Sequence, residues 1–204
     1  MARLILPLKD LKAMIRERRA AGADRHDEVW DGVYVMSPEA DNDHQRLVYR
    51  LAKAIDMALS EPDDVTILPG TNISDRPTRW RKNYRCPDVA IFLPGNPAED
   101  RGSHWLGGPD FAVEIVSRDD RSRQKIESYA KVGTRELLLI DRGPWRLELY
   151  RNREGMMVPA GFREPGATDL LSSEVLPVAF RLTDASPHPR IDAVSIRDGR
   201  SWTA

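Results

Sequence analysis

Two acidic residues stand where a carboxylate is costly to bury. Glu114 lies inside the apolar run Phe111 to Val116, and Asp88 directly precedes the apolar run from Val89 to Leu93. Burial of a carboxylate is unfavourable unless a cation or hydrogen bonds compensate it. Taken singly, Asp88 also fits a turn residue and Glu114 an ion pair with an arginine. If the two runs are neighbouring strands, the carboxylates form an oxygen-rich pocket suited to Mg²⁺.

Lys125 is a third candidate, because it belongs to the predicted helix that follows the Glu114 strand. A helix packed on the sheet can return its ammonium group toward the end of that strand. The alternative is a solvated lysine on the helix surface, which is the usual situation of lysines.

A basic segment leads into Asp88. It contains five basic residues and no acidic one, with Trp80 and Tyr84 between them: Arg76, Arg79, Arg81, Lys82 and Arg85. Positive charge interleaved with aromatic rings suits a nucleic-acid backbone with stacked bases. A solvated loop whose rings pack on the core is the equally weighted alternative.

The N-terminal part of the chain predicts a helix, a hairpin and a second helix. Apolar residues at helical spacing indicate a helix over residues 8–20, and Asp31-Gly32 between alternating valines indicates a hairpin. The second helix is predicted from Ser37-Pro38-Glu39 to Glu61-Pro62.

The middle of the chain predicts strands on either side of one further helix. Buried strands are expected at residues 65–68, 88–93, 111–116 and 136–140, with a helix capped by Asp119 or Asp120 before the last of them. Trp145, Leu147 and Leu149 alternate with polar residues, which predicts an edge strand. The segment after residue 180 fits an irregular tail or an interface element, and the pattern leaves both open.

Composition excludes several classes of protein. The 204 residues carry a net charge of −1, so any nucleic-acid partner must be held by a local patch. Cys86 is the single cysteine, which excludes an intrachain disulfide and a cysteine-rich zinc site. Apolar runs fall short of the roughly 18 residues of a membrane helix. We therefore expect a cytoplasmic protein that does not enter a membrane.

The order of these motifs over residues 27–180 resembles the Uma-two family of restriction-endonuclease-like proteins, within the PD-(D/E)xK nuclease superfamily. The similar segments are Glu28-Val29-Trp30-Asp31-Gly32, Met36-Ser37-Pro38, His44-Gln45, Pro87-Asp88-Val89, Val113-Glu114-Ile115-Val116-Ser117, Lys125 with Tyr129-Ala130 and Gly133, and residues 136–141.

The resemblance implies an α/β restriction-endonuclease-like fold. Its αβββαβ core is a central four-stranded mixed sheet flanked by helices, here with an added N-terminal hairpin and C-terminal strands. Residues 1–204 are expected to form a single domain, with the core at about 27–180 and a C-terminal extension over 181–204.

The resemblance also implies catalytic and metal-binding residues. Asp88 and Glu114 match the acidic positions that ligate Mg²⁺, or alternatively Mn²⁺. The superfamily lysine normally lies two residues after the second acid, where this chain has Val116. Lys125 matches the helical lysine that replaces it in this family, and Gln124 is the alternative as a water-orienting group. Accessory roles are expected for residues of the first hairpin and helix, namely Glu28 at the metal and His44 at the substrate.

The function implied is a metal-dependent endonuclease that hydrolyses phosphodiester bonds of nucleic acid, with DNA the favoured substrate. A homodimer is expected because two-fold symmetry suits the cutting of two strands. The alternative from another class is a catalytically degenerate protein that binds nucleic acid or serves in assembly. Val116 is the residue that supports this alternative.

Overall fold

The computed structural model describes residues 8–37, 41–59, 64–116 and 121–204. Over these residues it contains three α-helices, which are α1 Leu8–Ala20, α2 Asn42–Leu59 and α3 Ile126–Lys131. The strands in the same ranges are β1 Glu28–Trp30, β2 Val33–Val35, β3 Thr66–Pro69, β4 Ile73–Ser74, β5 Val89–Phe92, β6 Glu99–Asp100, β7 Trp105–Leu106, β8 Phe111–Val116, β9 Glu136–Arg142, β10 Trp145–Arg153, β11 Met156–Arg163, β12 Leu171–Ser172, β13 Val178–Thr183, β14 Arg190–Ser195 and β15 Ser201–Thr203.

A six-stranded mixed sheet forms the centre, in the order β11-β10-β9-β8-β5-β3. Strands β8 and β9 are parallel, and the other neighbours are antiparallel. A parallel pair needs a crossover connection, and α3 lies on the one between β8 and β9. The predicted αβββαβ order is confirmed as α2, β3, β5, β8, α3 and β9, although the sheet has six strands rather than four.

The two faces of this sheet have different cores. One face carries Val113 and Ile115 and packs with α2 and the four-stranded sheet β12-β13-β14-β15. The other face carries Ala112 and packs with Tyr129 of α3 and Ile73 of β4. Because side chains alternate along a strand, Glu114 shares the face of Ala112 and is directed toward α3.

Two smaller sheets complete the fold. β1 and β2 form the predicted hairpin, in which Asp31 and Gly32 have φ values of 48° and 88°. These left-handed conformations suit a tight turn between strands. Strands β4, β7 and β6 form a three-stranded sheet.

Two expectations about elements were wrong, and a third lies outside the described residues. The helix α2 begins at Asn42, where Asp41 Oδ1 accepts the His44 backbone N–H at 2.6 Å and caps the first turn. The predicted start at 37–39 lies mostly outside the described residues, as do the proposed caps Asp119 and Asp120. β10 is not an edge strand, because β11 pairs with its other side.

The C-terminal segment is neither irregular nor separate. β14 and β15 extend the sheet that begins at β12, and both strands contact α2. Within the described residues, no helix is long and apolar enough to cross a membrane.

Candidate active site

Asp88 and Glu114 face each other across two neighbouring strands. In the β5–β8 pair, Val89 lies opposite Val113, so Asp88 and Glu114 are each one residue beyond a paired position. Asp88 Oδ2 accepts the Ile115 backbone N–H at 2.6 Å, which ties its carboxylate to β8. Glu114 is 2% exposed. The structure thus brings together the two carboxylates that the sequence singled out.

Lys125 reaches this pair from the 3₁₀ turn Ser122–Lys125 that precedes α3. Its Nζ donates to both carboxylate oxygens of Glu114 at 2.9 Å and lies 2.9 Å from Glu28 Oε1. The ammonium group therefore lies between two buried carboxylates, with 12% of the Lys125 side chain exposed. The lysine is not a solvated surface residue.

Glu28 is placed by the first hairpin. An isolated bridge joins Val29 to Tyr84, which brings β1 against the segment that leads into Asp88. Glu28 Oε1 accepts the Cys86 backbone N–H at 2.8 Å, and Glu28 Oε2 accepts a hydrogen bond from Trp30 Nε1. The carboxylate of Glu28 is held on both oxygens.

His44 belongs to the same cluster. Its Nε2 lies 2.9 Å from Asp88 Oδ1, and because an ionised carboxylate only accepts, Nε2 is the donor. Its Nδ1 is buried without a hydrogen-bond partner among the described residues. The cap at Asp41 fixes the first turn of α2, so the start of this helix positions His44 over Asp88.

Tyr129 is a member of the site that the sequence did not indicate as functional. It is fully buried in α3, and its hydroxyl donates to Glu114 Oε1. Tyr129 follows Lys125 by four residues, which places both side chains on one helical face. That spacing was the available signal, but an apolar helix face is also the usual place of a core tyrosine.

Burial and neighbouring charges act in opposite directions on the ionisable groups of the cluster. Burial raises the pKa of Glu114 to about 8, against the opposing effect of the Lys125 ammonium. Burial also acts to lower the pKa of Lys125, but the negative charges of Glu114 and Glu28 outweigh it and hold that pKa well above its usual value. Lys125 is therefore a cation at neutral pH.

The donor set fits a divalent cation held partly by its substrate. No group of three or more His, Cys, Asp or Glu side chains in the described ranges is arranged to hold a metal ion. Mg²⁺ is commonly held by one or two carboxylates, completed by water and substrate phosphate. Asp88 and Glu114 supply two carboxylates of that kind, and each carboxylate oxygen can accept more than one partner.

The remaining predicted residues lie outside this cluster. Gln124 is exposed and does not replace Lys125 at Glu114. Arg79, Arg81 and Lys82 are exposed on the basic segment, and Arg76 pairs with Asp31 at 3.0 Å. Trp80 stacks on His104 with ring centroids 4.4 Å apart, so part of the aromatic surface of this segment is packed within the protein.

Arg85 differs from the other four basic residues, because it is only 7% exposed. Its Nη1 donates to the backbone oxygen of Val29 at 3.0 Å, and its guanidinium lies 5.0 Å from the Trp30 ring centroid. Arg85 braces the hairpin that carries Glu28 and does not belong to the exposed basic surface.

Comparison with known proteins finds a matching family and similar solved structures. The Uma2 family, described as "Putative restriction endonuclease", matches residues 13–185. The crystal structure of a protein from Anabaena variabilis, described as a putative nuclease belonging to DUF820, is similar with a TM-score of 0.55 and 18% identity. That match covers 72% of this chain and 80% of the other. No curated protein matches the chain.

Proposed function

This chain belongs to the Uma2 family of putative restriction endonucleases, and we propose that it is a divalent-metal-dependent endonuclease that hydrolyses phosphodiester bonds of nucleic acid. The observation that carries the proposal is the Lys125 ammonium group between Glu28 and Glu114, beside Asp88. Two acids can hold a divalent cation and a lysine can stabilise charge on a phosphate, which are the roles that metal-assisted phosphodiester hydrolysis uses.

Asp88 and Glu114 are the residues that would hold the metal ion, with Mg²⁺ preferred and Mn²⁺ the alternative. When bound there, such an ion polarises a phosphoryl oxygen and lowers the pKa of a bound water. Asp88 is oriented for this role by His44 and by the Ile115 backbone N–H. Tyr129 orients Glu114.

Lys125 acts as a fixed positive charge. The negative charges of Glu114 and Glu28 outweigh the effect of burial on its pKa, which favours the protonated form at neutral pH. A preorganised cation at the reacting phosphate stabilises the charge that develops in the transition state. Glu28 holds the ammonium group toward Glu114 at 2.9 Å and thereby acts as a positioning residue.

The exposed basic residues supply the binding surface for the substrate. Arg79, Arg81 and Lys82 lie in the segment that runs toward Asp88. A local patch of this kind is required because the chain as a whole carries a net charge of −1. DNA is the substrate we propose first, and a two-fold pair of chains would place one site on each strand.

A non-catalytic binding protein is the alternative that Val116 suggests. Position 116 has no lysine, but Lys125 supplies an ammonium group to the Glu114 carboxylate instead. We therefore favour the catalytic function.

The test is incubation of the purified protein with supercoiled plasmid, single-stranded DNA and RNA, in Mg²⁺, Mn²⁺ or EDTA. We expect metal-dependent cleavage, with DNA cut in preference to RNA. Sedimentation of the same sample reports whether the active species is a dimer. Absence of cleavage on all three substrates, with no Mg²⁺ or Mn²⁺ binding by calorimetry, would contradict the proposal.

A further inference from the structure

A cavity of about 310 Å³ lies beside the catalytic cluster. Its walls come from the β1 hairpin, from both ends of the basic segment and from α3, and include Trp30, Asp75, Arg85, Glu127 and Val132. The volume is at the lower end of the range of small-molecule sites. We name it the base pocket.

The base pocket shares walls with the catalytic cluster. Trp30 lines it and donates a hydrogen bond to Glu28. Ser128 also lines it, and its hydroxyl donates to the Lys125 backbone oxygen at 2.6 Å. A substrate whose phosphate lies at Lys125 therefore has a neighbouring group within reach of this cavity.

The base pocket is also continuous with the basic segment. Ser74 and Asn83 both line it, and Ser74 Oγ donates to the Asn83 backbone oxygen at 2.6 Å, which closes the two ends of the segment on each other. Arg79, Arg81 and Lys82 lie in the loop that this contact closes. A strand whose phosphates contact the loop has its bases near the cavity.

The chemistry of the walls favours a base over a phosphate. The lining side chains that carry charge comprise three carboxylates and two cations, namely Asp31, Asp75, Glu127, Arg85 and Lys131. Because Arg76 pairs with Asp31 at 3.0 Å, the charges at this lining balance, and the cavity presents no excess of positive charge to bind an anion. A nucleobase is uncharged, has apolar faces, and carries hydrogen-bond donors and acceptors on its edges.

Arg85 and Trp30 stand together in the wall of the cavity. Arg85 is 7% exposed, and its guanidinium lies 5.0 Å from the Trp30 ring centroid. Trp30 and Val132 offer apolar surface to the faces of a base.

We propose that the base pocket receives one unstacked nucleobase of the nucleic-acid substrate, next to the phosphate that is cut. This inference rests on the proposed nuclease function and adds to it a position at which the substrate is read. Acceptors on Asp75 and Glu127 would select among bases by the donors on their edges.

The experiment uses short single-stranded oligonucleotides that carry one 2-aminopurine at successive positions, with Ca²⁺ and separately with EDTA. Binding is followed by anisotropy of a terminal dye, and the environment of each base by 2-aminopurine fluorescence. We expect the fluorescence to change by about twofold or more at one position only, because that base has left the stack. The 2-aminopurine series measured with the unmodified protein is sufficient to support or contradict the proposal.

Val132→Phe fills the cavity with a larger side chain. It tests whether the position-specific fluorescence change arises in the base pocket. We expect it to abolish the position-specific change while affinity by anisotropy stays within about threefold, because the basic loop is intact. Val158→Phe on the exposed face of β11 is the matched control. Should Val132→Phe fail to fold, Glu127→Arg at an exposed position on the wall serves instead.

Two results would overturn the proposal, and only the second would also contradict the nuclease function. Oligonucleotide binding without any position-specific fluorescence change would remove the base pocket and leave the nuclease function standing. Absence of binding by anisotropy, together with absence of metal-dependent cleavage, would remove both.

Discussion

Lys125 is held in place by the charges that also make its burial tolerable. An isolated ammonium group in that position would be costly, and two carboxylates without it would repel each other. Each of the three groups therefore depends on the others, with both lysine contacts at 2.9 Å. Burying these charged groups costs free energy that apolar side chains in their place would not cost. The same arrangement holds a cation in position for a phosphate.

Replacement of Lys125 by methionine tests the electrostatic role. We expect cleavage to fall by about 100-fold or more, because the transition-state charge loses its cation. Oligonucleotide affinity stays nearly unchanged, because the basic loop is untouched. The unfolding free energy falls by up to about 3 kcal/mol in metal-free buffer. Lys53→Met on the exposed face of α2 is the control and keeps full activity; equal losses in the two variants would contradict this role.

The Tyr129 hydroxyl is predicted to position Glu114. In Tyr129→Phe we expect kcat to fall by about tenfold with KM unchanged, and the Mg²⁺ concentration for half-maximal rate to rise, because a carboxylate ligand has lost its orienting partner. Tyr150→Phe is the matched control, since Tyr150 donates to Glu148 at 2.9 Å outside the cluster. An unchanged metal requirement in Tyr129→Phe would make its role only structural.

For single residues, the sequence was informative where a charged side chain lies within or beside an apolar run. Glu114 and Asp88 were identifiable because a carboxylate beside an apolar strand needs an explanation. Lys125 was a candidate because its predicted helix follows the Glu114 strand, and the family resemblance supported it. Glu28 and His44 came from the resemblance, since their contacts join residues far apart in the chain. The hydrogen bond from the Cys86 backbone N–H to Glu28 was not predictable, because it does not depend on the side chain at position 86.

Among the elements, the sheet β12-β13-β14-β15 contributes most to holding α2. Asp192 on β14 joins its strands, because its carboxylate accepts from Thr203 at 2.7 Å on β15 and from Thr183 and Arg181 on β13. α2 in turn carries His44. The C-terminal strands therefore support the catalytic cluster from a distance.

Asp192→Asn is expected to lower the unfolding free energy by about 2 kcal/mol at pH 7, because charge-assisted hydrogen bonds are lost. Burial acts to raise the pKa of Asp192, but hydrogen bonds from Thr203, Arg181 and Thr183 outweigh it and hold the pKa below 3.8. The stabilisation is therefore complete above pH 3.8 and disappears as the pH falls through the lowered value.

Urea unfolding of both proteins across this pH range checks the prediction. The difference between them should shrink toward zero in strong acid. A difference that stays constant from pH 7 into strong acid would show that the Asp192 charge is not its source.

The last two strands, β14 and β15, were not predicted because their pattern is interrupted. Pro187 and Pro189 suggest coil, and Asp198-Gly199 was indistinguishable from a loop, although it forms the turn between β14 and β15. β10 was predicted as an edge strand from its alternation of apolar and polar residues, which is also compatible with a strand paired on both sides; its partner β11 contains Pro159 and Gly161, which are rare inside strands. The helices and central strands were predictable because their apolar periodicity is unbroken.

For the whole molecule, a net charge of −1 means that attraction to nucleic acid must be local. We expect log K for oligonucleotide binding to fall linearly with log salt, and the slope to decrease by about 2 in Arg79→Ala/Arg81→Ala/Lys82→Ala, at about 0.7 per phosphate contact on a single strand. Arg50→Ala/Lys53→Ala/Arg190→Ala removes the same charge elsewhere on the surface. Equal slopes for the two triple variants would contradict a localised patch.

Plasmid nicking in Mg²⁺ shows whether Asp88 and Glu114 carry metal-dependent cleavage. Asp88→Ala and Glu114→Ala are compared with Glu136→Gln, which alters a buried carboxylate on the neighbouring strand β9 outside the cluster. We expect both alanine variants to fold, to lose Mg²⁺-dependent nicking and to bind Mg²⁺ more weakly, while Glu136→Gln remains active. Nicking that persists in Asp88→Ala and in Glu114→Ala would show that these carboxylates are not the catalytic groups.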